Sequence, residues 1–269
     1  MKYQRILIKF TGEAFSEKGK SIDFAKVQAI VEEIKALRRL KVKVAALCGA
    51  GNVSRWKDVK KGDRVAVDYR GIQGTLKNVY PLEKLLKKAK VPAKVYTSFS
   101  LKSKYPHFAY PQIKRDWQRG KVLIFAGGTG HPFFTTDTAA ILRALEIGAE
   151  VFIKATKVDG IFTADPIKNP RAKKIKQISY KKIIADELKI IDSTAVCLAW
   201  ENQLPIRIVK WERGAIIKVV QGKSIGSTIC WVFILQFYSG QVFNFKFIIE
   251  SFYESNRSPI QPLGSELLF

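Results

Sequence analysis

Two glycine-containing loops near the N-terminus carry residues suited to binding phosphate. They are KFTGE at 9–13 and CGAGN at 48–52, and Arg55 follows the second. Glycines ahead of a helix leave backbone N–H groups free to donate to an anion. Lys9 can place an ammonium near a phosphate, and Gly12 allows the backbone to approach closely. Taken alone, either loop is equally well explained as an ordinary tight turn.

A third loop, GGTGHPFFTTDTAA at 127–140, lies between the apolar run VLIFA and the helical pattern AAILRALEIG. Thr135 and Thr136 can cap the helix and can also bind phosphate. Asp137 falls at the helix start, where the helix dipole stabilises its charge. An ionised carboxylate there is a poor proton acceptor and is better placed to orient a lysine or a metal-bound phosphate. His131 could serve as a catalyst, a metal ligand or neither.

The fourth loop, KATKVDGIFTADP at 154–166, combines two aspartates, a glycine turn and a proline stop. Val158, Ile161 and Phe162 could supply the apolar walls of an adenine pocket. The chain contains neither the GxGxxG dinucleotide fingerprint nor a GxxxxGK[ST] P-loop. Any nucleotide site must therefore be built from the four loops together.

The elements that position these loops alternate along the chain. Short apolar runs predict strands at 5–9, 42–48, 93–97, 121–126 and 149–154, and amphipathic patterns predict helices at 24–40, 64–89, 135–147 and 191–203. Asp23 can cap the first helix, and Pro81 predicts a kink or restart in the second. This alternation predicts a doubly wound α/β sheet, in which ligands bind at the carboxyl ends of the strands.

Composition narrows the class of protein. The chain has 269 residues, with 47 basic and 23 acidic side chains and a net charge of +24. This charge fits either a surface for nucleic acid or anionic membrane, or a lysine-rich enzyme that handles phosphate. The second is favoured, because no long basic block and no nucleic-acid-binding motif is present. Nucleic acid is therefore not an expected partner.

The sequence also bears on the location of the protein and on whether its side chains bind a metal. The N-terminus resembles no signal peptide, and no apolar run is long enough for a spanning helix, so a cytoplasmic location is expected. Three scattered cysteines form no CxxC or Cys/His cluster, and His107 is the one histidine besides His131. Neither a disulfide framework nor a metal site formed by protein ligands is predicted.

From residue 230 onward the composition changes. This segment holds 10 of the 31 aromatic residues in 40 positions, with two basic and three acidic side chains. Part of it, FNFKFIIESF, alternates as a strand does, but no chemistry is visible. It could pack on the body, mediate association or be a poorly ordered appendage.

The four loops in this order resemble the amino acid kinase superfamily and, within it, the bacterial-type uridylate (UMP) kinases. The most specific segments are GTGHPFFTTDTAA, KATKVDGIFTADP and ADELKIIDSTA, and the resemblance runs from YQRILIK at residue 3 to GSTI at 229. It implies a three-layer α/β/α sandwich around a mainly parallel twisted sheet, with an amino acid kinase domain at 1–229. Residues 230–269 would be an extension without a family counterpart.

The resemblance also implies transfer of the ATP γ-phosphoryl group to UMP with Mg²⁺, in a homohexamer activated by GTP and inhibited by UTP. The expected catalytic residues are Lys9, Asp137 and Lys154. Those expected around ATP are Lys9, Phe10, Thr11, Gly12, Gly51, Arg55, Thr156, Phe162 and Asp165. Those expected around UMP are Gly49, Ala50, Asp68, Thr129, Gly130, His131, Pro132, Phe133, Phe134, Thr135 and Thr136.

Three departures from the family pattern bear on the UMP site. Ala50 stands where a glycine is usual, which would cost about 1 kcal/mol if that position needs a positive φ, or would crowd UMP if it needs only space. His131 replaces an asparagine and is interpreted as a hydrogen-bonding loop residue. The usually apolar stretch after Asp68 reads YRGIQGTLKN, which could alter the UMP pocket or a subunit contact.

Two other functions remain open at this stage. Another enzyme of the superfamily, such as an amino-acid or carbamate kinase, would need a cationic site for a substrate carboxylate. A weakly active or non-catalytic homologue could instead sense nucleotides or bind nucleic acid, as the charge of +24 would allow.

Overall fold

The central sheet of the protein is built from strands that are apolar along nearly their whole length. A computed structural model of the chain describes residues 1–231 except 18, 60, 100–104, 165 and 167–168. The described strands are β1 (Arg5–Phe10), β2 (Lys43–Cys48), β3 (Ala93–Thr97), β4 (Val122–Ala126), β5 (Val151–Thr156), β6 (Ile161–Phe162), β7 (Lys174–Ile175), β8 (Gln177–Ile178), β9 (Ile206–Lys210) and β10 (Ser227–Ile229). The aromatic C-terminal segment predicted as an extension lies, from residue 232 onward, outside the described residues.

Eight of these strands form one sheet in the order β3-β4-β2-β1-β5-β9-β10-β8. Neighbours pair in parallel except β9 and β10, which are antiparallel. β6 and β7 form a separate antiparallel pair. The predicted mainly parallel sheet is confirmed.

Seven helices lie within the described residues: α1 (Phe24–Arg39), α2 (Arg64–Lys88), α3 (Tyr110–Gln118), α4 (Thr136–Glu146), α5 (Tyr180–Ala185), α6 (Ser193–Glu201) and α7 (Ala215–Val220). Apolar residues of α1, α2 and α7 pack in one buried cluster, and those of α3 to α6 pack in the other. Side chains alternate along β1, so Ile8 enters the first cluster and Leu7 the second. The three-layer α/β/α sandwich is thus confirmed.

Helix starts follow the capping residues of the sequence. Asp23 accepts hydrogen bonds from Ala25 N and Lys26 N, as predicted for the start of α1. The expected restart at Pro81 is wrong, because α2 runs as one helix from Arg64 to Lys88. Pro81 is buried within that helix, where packing offsets the hydrogen bond that proline cannot donate.

The buried carboxylate of Glu33 joins α1 to the start of α7. Glu33 accepts hydrogen bonds from Gly214 N, Ile216 N and Ile217 N at 2.6, 2.9 and 3.1 Å. These are N–H groups that the first turn of α7 leaves without helical partners. The charge also lies at the positive end of that helix, which stabilises it. Within the described part of the chain, no helix is long and apolar enough to cross a membrane.

Candidate functional site

A cleft of about 1100 Å³ opens at the carboxyl ends of β1, β2, β4 and β5. All four predicted loops contribute to its lining. The predicted residues that line it are Lys9, Thr11, Gly12, Gly49, Ala50, Gly51, Arg55, Asp68, Thr129, His131, Phe134, Thr135, Thr136, Asp137, Lys154 and Thr156. This volume exceeds the roughly 300–1000 Å³ of a pocket for one drug-sized molecule, so the cleft has room for a larger ligand or for two ligands.

Two lysines and one aspartate form the buried centre of this cleft. Lys9 on β1 and Lys154 on β5 are direct partners in the parallel register, so their side chains leave the sheet on the same face. Asp137, in the first turn of α4, lies over them. Its Oδ1 accepts from Lys9 Nζ at 2.6 Å and its Oδ2 from Lys154 Nζ at 2.5 Å. Lys154 Nζ also donates to Ile190 O at 2.5 Å.

The charges of this triad are mutually dependent. Burial alone would raise the pKa of Asp137, but the charges and hydrogen bonds of Lys154 and Lys9 outweigh it and bring that pKa to about 2. Burial lowers the pKa of Lys9, and Asp137 opposes this effect. Asp137 is therefore ionised at neutral pH. Both of its oxygens are occupied by ammonium groups.

The loops after β1 and β2 pack against each other through their glycines. A Cβ on Gly12 would come within 2.5 Å of Gly51 N, and one on Gly49 would lie 3.3 Å from Gly12 N. A Cβ on Gly51 would overlap the guanidinium of Arg55. Close approach of the backbone therefore requires glycine at position 12, whereas side chains at 49 and 51 would need the first loop or Arg55 to shift; the backbone of residues 49–51 lines the cleft.

Arg55 is held by an acidic residue of the first loop. Its Nη2 is ion-paired with Glu13 Oε1, and both side chains line the cleft. Burial would raise the pKa of Glu13, but a backbone hydrogen bond and the charges of Arg55 and Lys157 lower it overall. A phosphate arriving at Arg55 would compete with this carboxylate.

Ala50 fits the second loop without backbone strain. Ala50 is not one of the described non-glycine residues with a positive φ. The strain of about 1 kcal/mol that a positive φ would cause is therefore excluded. Ala50 is 7% exposed, and its methyl lies 3.3 Å from where a Cβ on Gly74 of α2 would be. The missing side chain of Gly74 therefore gives the Ala50 methyl its space.

The third loop is tied to α2 and to α4. Gly127 N donates to Thr75 Oγ1 at 2.7 Å, and Phe133 N donates to Asp68 Oδ2 at 2.9 Å. Thr135 is the N-cap of α4 and accepts from Asp137 N at 2.9 Å. Phe133 has a φ of 69°, as do few residues other than glycine, asparagine and aspartate.

The remaining predicted residues lie at or beyond the edge of the cleft. Phe10 is fully buried, packs edge-on against Trp211 at 5.0 Å between ring centroids, and lies outside the cavity lining. Gly130, Pro132 and Phe133 belong to the third loop without lining the cavity. Phe162 lies on β6, outside the cavity lining. Asp165 is outside the described residues.

His131 lies exposed in the third loop. Its N–H donates to Thr129 Oγ1 at 3.2 Å, and its carbonyl accepts from the same hydroxyl at 3.3 Å. These bonds belong to the backbone and close a local turn. His131 also lines the cleft.

Several residues of the cleft were not identified from the sequence. Asp192 caps α6 and accepts hydrogen bonds from the hydroxyls of Thr135 and Thr138. Arg64 pairs with Asp68 at 2.6 Å and lies over the rings of Trp56 and Phe133, each at 5.3 Å. The aspartate directly before the helical pattern that begins at Ser193 was a signal for Asp192, whereas Arg64 stands in a helical pattern, where a cation is usually solvent-facing.

The donor set bears on how a divalent metal would bind. Among the described residues, no group of three or more His, Cys, Asp or Glu side chains could hold one. The buried carboxylate of the centre, Asp137, accepts from one lysine at each of its oxygens. A metal here would be carried by the oxygens of a polyphosphate ligand.

This arrangement of strands, loops and lysines has known counterparts. The sequence model of the amino acid kinase family matches residues 4–210. The chain belongs to the amino acid kinase family. The matched segment contains all four loops, the triad and every helix from α1 to α6.

Within the amino acid kinase family the similarity is to uridylate kinases. A uridylate kinase of Vibrio campbellii is 40% identical over 231 residues, covering 84% of this chain and 95% of the relative. One of Legionella pneumophila is 37% identical over 233 residues, covering 85% and 94%. The crystal structure of the UMP kinase from Bacillus anthracis superposes with a TM-score of 0.81 at 29% identity, covering 86% of this chain and 97% of that one.

Proposed function

We propose that this protein transfers the γ-phosphoryl group of ATP to UMP, giving ADP and UDP. The observation that carries the proposal is the Lys9–Asp137–Lys154 centre, which lies between the glycine loops in a cleft large enough for two nucleotides. The similarity to uridylate kinases over most of the chain supports it. A nucleotide-sensing or nucleic-acid-binding role without catalysis is not favoured by these relatives.

The chemistry needs positioning and charge neutralisation more than proton transfer. A phosphate oxygen of UMP, already ionised at neutral pH, attacks the γ-phosphorus of ATP. The bond from that phosphorus to the bridging oxygen breaks, and ADP leaves with the electron pair. Because the nucleophile carries no proton to remove, the mechanism needs no general base. The ionised Asp137 therefore has no proton to accept in this step.

Lys9, Lys154 and Arg55 supply the positive charge on the protein side. We assign Lys9 and Lys154 to the transferring phosphoryl group, because they are buried side by side and Asp137 fixes both ammonium groups. Arg55 would bind phosphate after exchanging Glu13 for it. Backbone N–H groups of residues 50–52 would donate to the charge that develops during transfer, whereas Gly49 N already donates to Phe10 O at 2.9 Å.

Kinase relatives imply a divalent metal, and we propose Mg²⁺ bound to the phosphates of ATP. Such an ion neutralises phosphate charge as the nucleophile approaches. The residues present fit a metal carried by the nucleotide, since the described residues include no group of three or more His, Cys, Asp or Glu side chains that could hold one, and both oxygens of Asp137 already accept from ammonium groups.

We assign the nucleoside part of ATP to the side of Thr156, Phe162 and Asp165, and UMP to the loop at 129–136 with Gly49, Ala50 and Asp68. As part of the same proposal, the enzyme is a cytoplasmic homohexamer that GTP activates and UTP inhibits. The resemblance to the bacterial-type UMP kinases motivates this part of the proposal.

The test is ADP formation from ATP with Mg²⁺ in the presence of UMP, with CMP, AMP, aspartate, acetylglutamate and carbamate as alternative acceptors. We expect UMP to give the largest stimulation. Stimulation by aspartate, acetylglutamate or carbamate instead would identify another activity of the superfamily. No stimulation by any acceptor would overturn the proposal.

A further inference from the structure

One face of α2 contacts both loops of the acceptor side. Asp68, Thr75 and Asn78 are spaced by seven and three residues and therefore lie on a common face. Asp68 and Thr75 hold the third loop through Phe133 N and Gly127 N. Asn78 Nδ2 donates to Gly49 O at 2.6 Å, in the loop after β2.

Asn78 also forms a closed amide pair with Asn52. Asn78 Nδ2 donates to Asn52 Oδ1 at 2.9 Å, and Asn52 Nδ2 donates back to Asn78 Oδ1 at 3.0 Å. Asn52 Nδ2 reaches Ser16 Oγ at 2.8 Å as well. All three side chains are buried, at 4% exposure or less. Hydrogen-bonding groups buried in this way are costly to leave unpaired, so the pair fixes the loop strongly.

Gly74, one turn before Asn78, provides a second, steric restraint on the same loop. A Cβ at this position would lie 2.9 Å from Val53 Cβ and 3.3 Å from the methyl of Ala50. The loop therefore rests directly on the backbone of α2, and Asn78 holds it there from the next turn. The ends of the loop, at Gly49 and Val53, are thus both set by α2.

We propose that Asn78 is a positioning residue for phosphoryl transfer, acting through the backbone of residues 49–52. This inference rests on the proposed function, in which N–H groups of that segment face the transferring group. Asn78 touches no cleft surface itself. Its loss would shift donors that matter most in the transition state, so kcat should fall more than either KM rises.

The experiment compares Asn78→Ala with Lys84→Ala, a change at an exposed position of the same helix outside the cleft lining. Asn78→Ala should lower kcat by about 10–100-fold, the scale of a misplacement near 1 Å, with KM values for ATP and UMP changed less than about threefold. Lys84→Ala should leave all three parameters within about twofold. Wild-type kcat in a folded Asn78→Ala protein would overturn the inference.

A second variant tests the steric contact of Gly74 with the loop. Gly74→Ala raises helix propensity, but its Cβ would lie 2.9 Å from Val53 Cβ. Gly74→Ala should reduce kcat by about 10-fold or more, whereas Lys84→Ala, at an exposed position of the same helix outside the cleft lining, should retain it. Equal activity of the two would remove the loop contact from the argument.

Hydrogen exchange separates this inference from the proposed function. Val53 N and Ser54 N both donate to Ala50 O, so their exchange reports the order of the loop. They should exchange at least about 10-fold faster in Asn78→Ala, with α1 amides unchanged. If UMP does not stimulate ADP formation by the wild-type protein, but these amides exchange faster in Asn78→Ala, the proposed function is refuted and the restraint of the loop by Asn78 is retained. Unchanged exchange would refute the restraint.

An isosteric variant covers the case in which Asn78→Ala fails to fold. Asn78→Asp replaces the donor to Gly49 O by an oxygen, which repels that carbonyl when ionised. Because a carboxyl group is ordinarily ionised at neutral and alkaline pH, kcat of Asn78→Asp at pH 8 should be at least about 10-fold below wild type. Wild-type kcat of a folded Asn78→Asp protein throughout pH 6 to 9 would contradict the role of this hydrogen bond.

Discussion

Lys9 and Lys154 are direct partners across two neighbouring parallel strands, and their ammonium groups share the carboxylate of Asp137. The two buried ammonium groups repel each other, and the negative charge of the Asp137 carboxylate between them offsets this repulsion. The protein thereby holds a net positive centre at the base of a cleft. A centre of this sign suits a ligand with several negative charges.

Asp137→Asn should reduce kcat at least about 100-fold near neutral pH. The uncharged amide no longer opposes the effect of burial on Lys9, so the pKa of Lys9 falls further and the ammonium is lost at lower pH. The alkaline limb of the kcat profile should therefore move to lower pH, measured between pH 6 and 9.5. Asp186→Asn, at an exposed Lys182 pair, is the control. A kcat within threefold of wild type at every pH would remove Asp137 from the mechanism.

Asp137 should also make stability depend on acid pH. Its pKa of about 2 in the folded protein lies below the ordinary value, so its stabilisation is complete above about pH 4 and is lost as pH falls toward 2. The difference in unfolding free energy between wild type and Asp137→Asn should shrink by about 2 kcal/mol from pH 5 to 2. Urea titrations at several pH values measure it. A constant difference would be inconsistent with a lowered pKa.

Glu13→Gln should lower the KM for the substrate whose phosphate meets Arg55 by about two- to fivefold. The free guanidinium no longer exchanges a carboxylate for the phosphate, and a partly exposed ion pair is worth up to about 1 kcal/mol. Steady-state titrations of ATP and UMP identify which substrate responds. Glu17→Gln, which removes an exposed acid paired with Lys20, should change neither KM. A raised KM in Glu13→Gln would mean that Glu13 orients Arg55 instead of competing for it.

Glu33→Gln should lower the free energy of unfolding by about 1–3 kcal/mol, because charge-assisted hydrogen bonds to the start of α7 are weakened. Glu32→Gln on the same helix, whose partner is the partly exposed Lys35, should cost less than about 1 kcal/mol. Chemical denaturation of both variants checks this. Activity at 25 °C should be unaffected in each, since α7 lies away from the cleft lining.

Ala50→Gly should bring no gain in activity. The position needs no positive φ, and the methyl already has space beside Gly74. We expect kcat within about threefold of wild type and a free energy of unfolding lowered by about 0.5–1 kcal/mol from backbone entropy. A tenfold rise in kcat would show that the methyl obstructs the acceptor.

Strongly patterned elements were predictable from the sequence, including the five-residue strand β3 at its predicted residues, and weakly patterned ones were not. α1 begins at its predicted residue because Asp23 caps it and its apolar face is continuous. β5 lies two residues later than predicted, because Ala149 N bonds Ala144 O and still belongs to the end of α4. α7, with six residues, begins where Glu33 reaches it from 181 positions away, and no local pattern carries that information.

The triad was predictable because its members follow strands or start a helix, where charged residues are conspicuous. The support beneath it was not. Asn52 and Asn78 form their pair across 26 positions, and an asparagine in a helical pattern reads only as a weak helix former. Spacing reveals which residues face a ligand more readily than which ones hold the backbone behind them.

The central place of β1 in the sheet has a consequence for biosynthesis. β1 is translated first, yet its two edges are filled by β2 and by β5, which begins at Val151. A nascent chain that has left the ribosome only as far as α4 keeps one edge of β1 without its native partner, and such an edge invites mispairing. Lys9 meets Lys154 only when more than half of the chain has been made. The reactive centre is therefore completed late in synthesis.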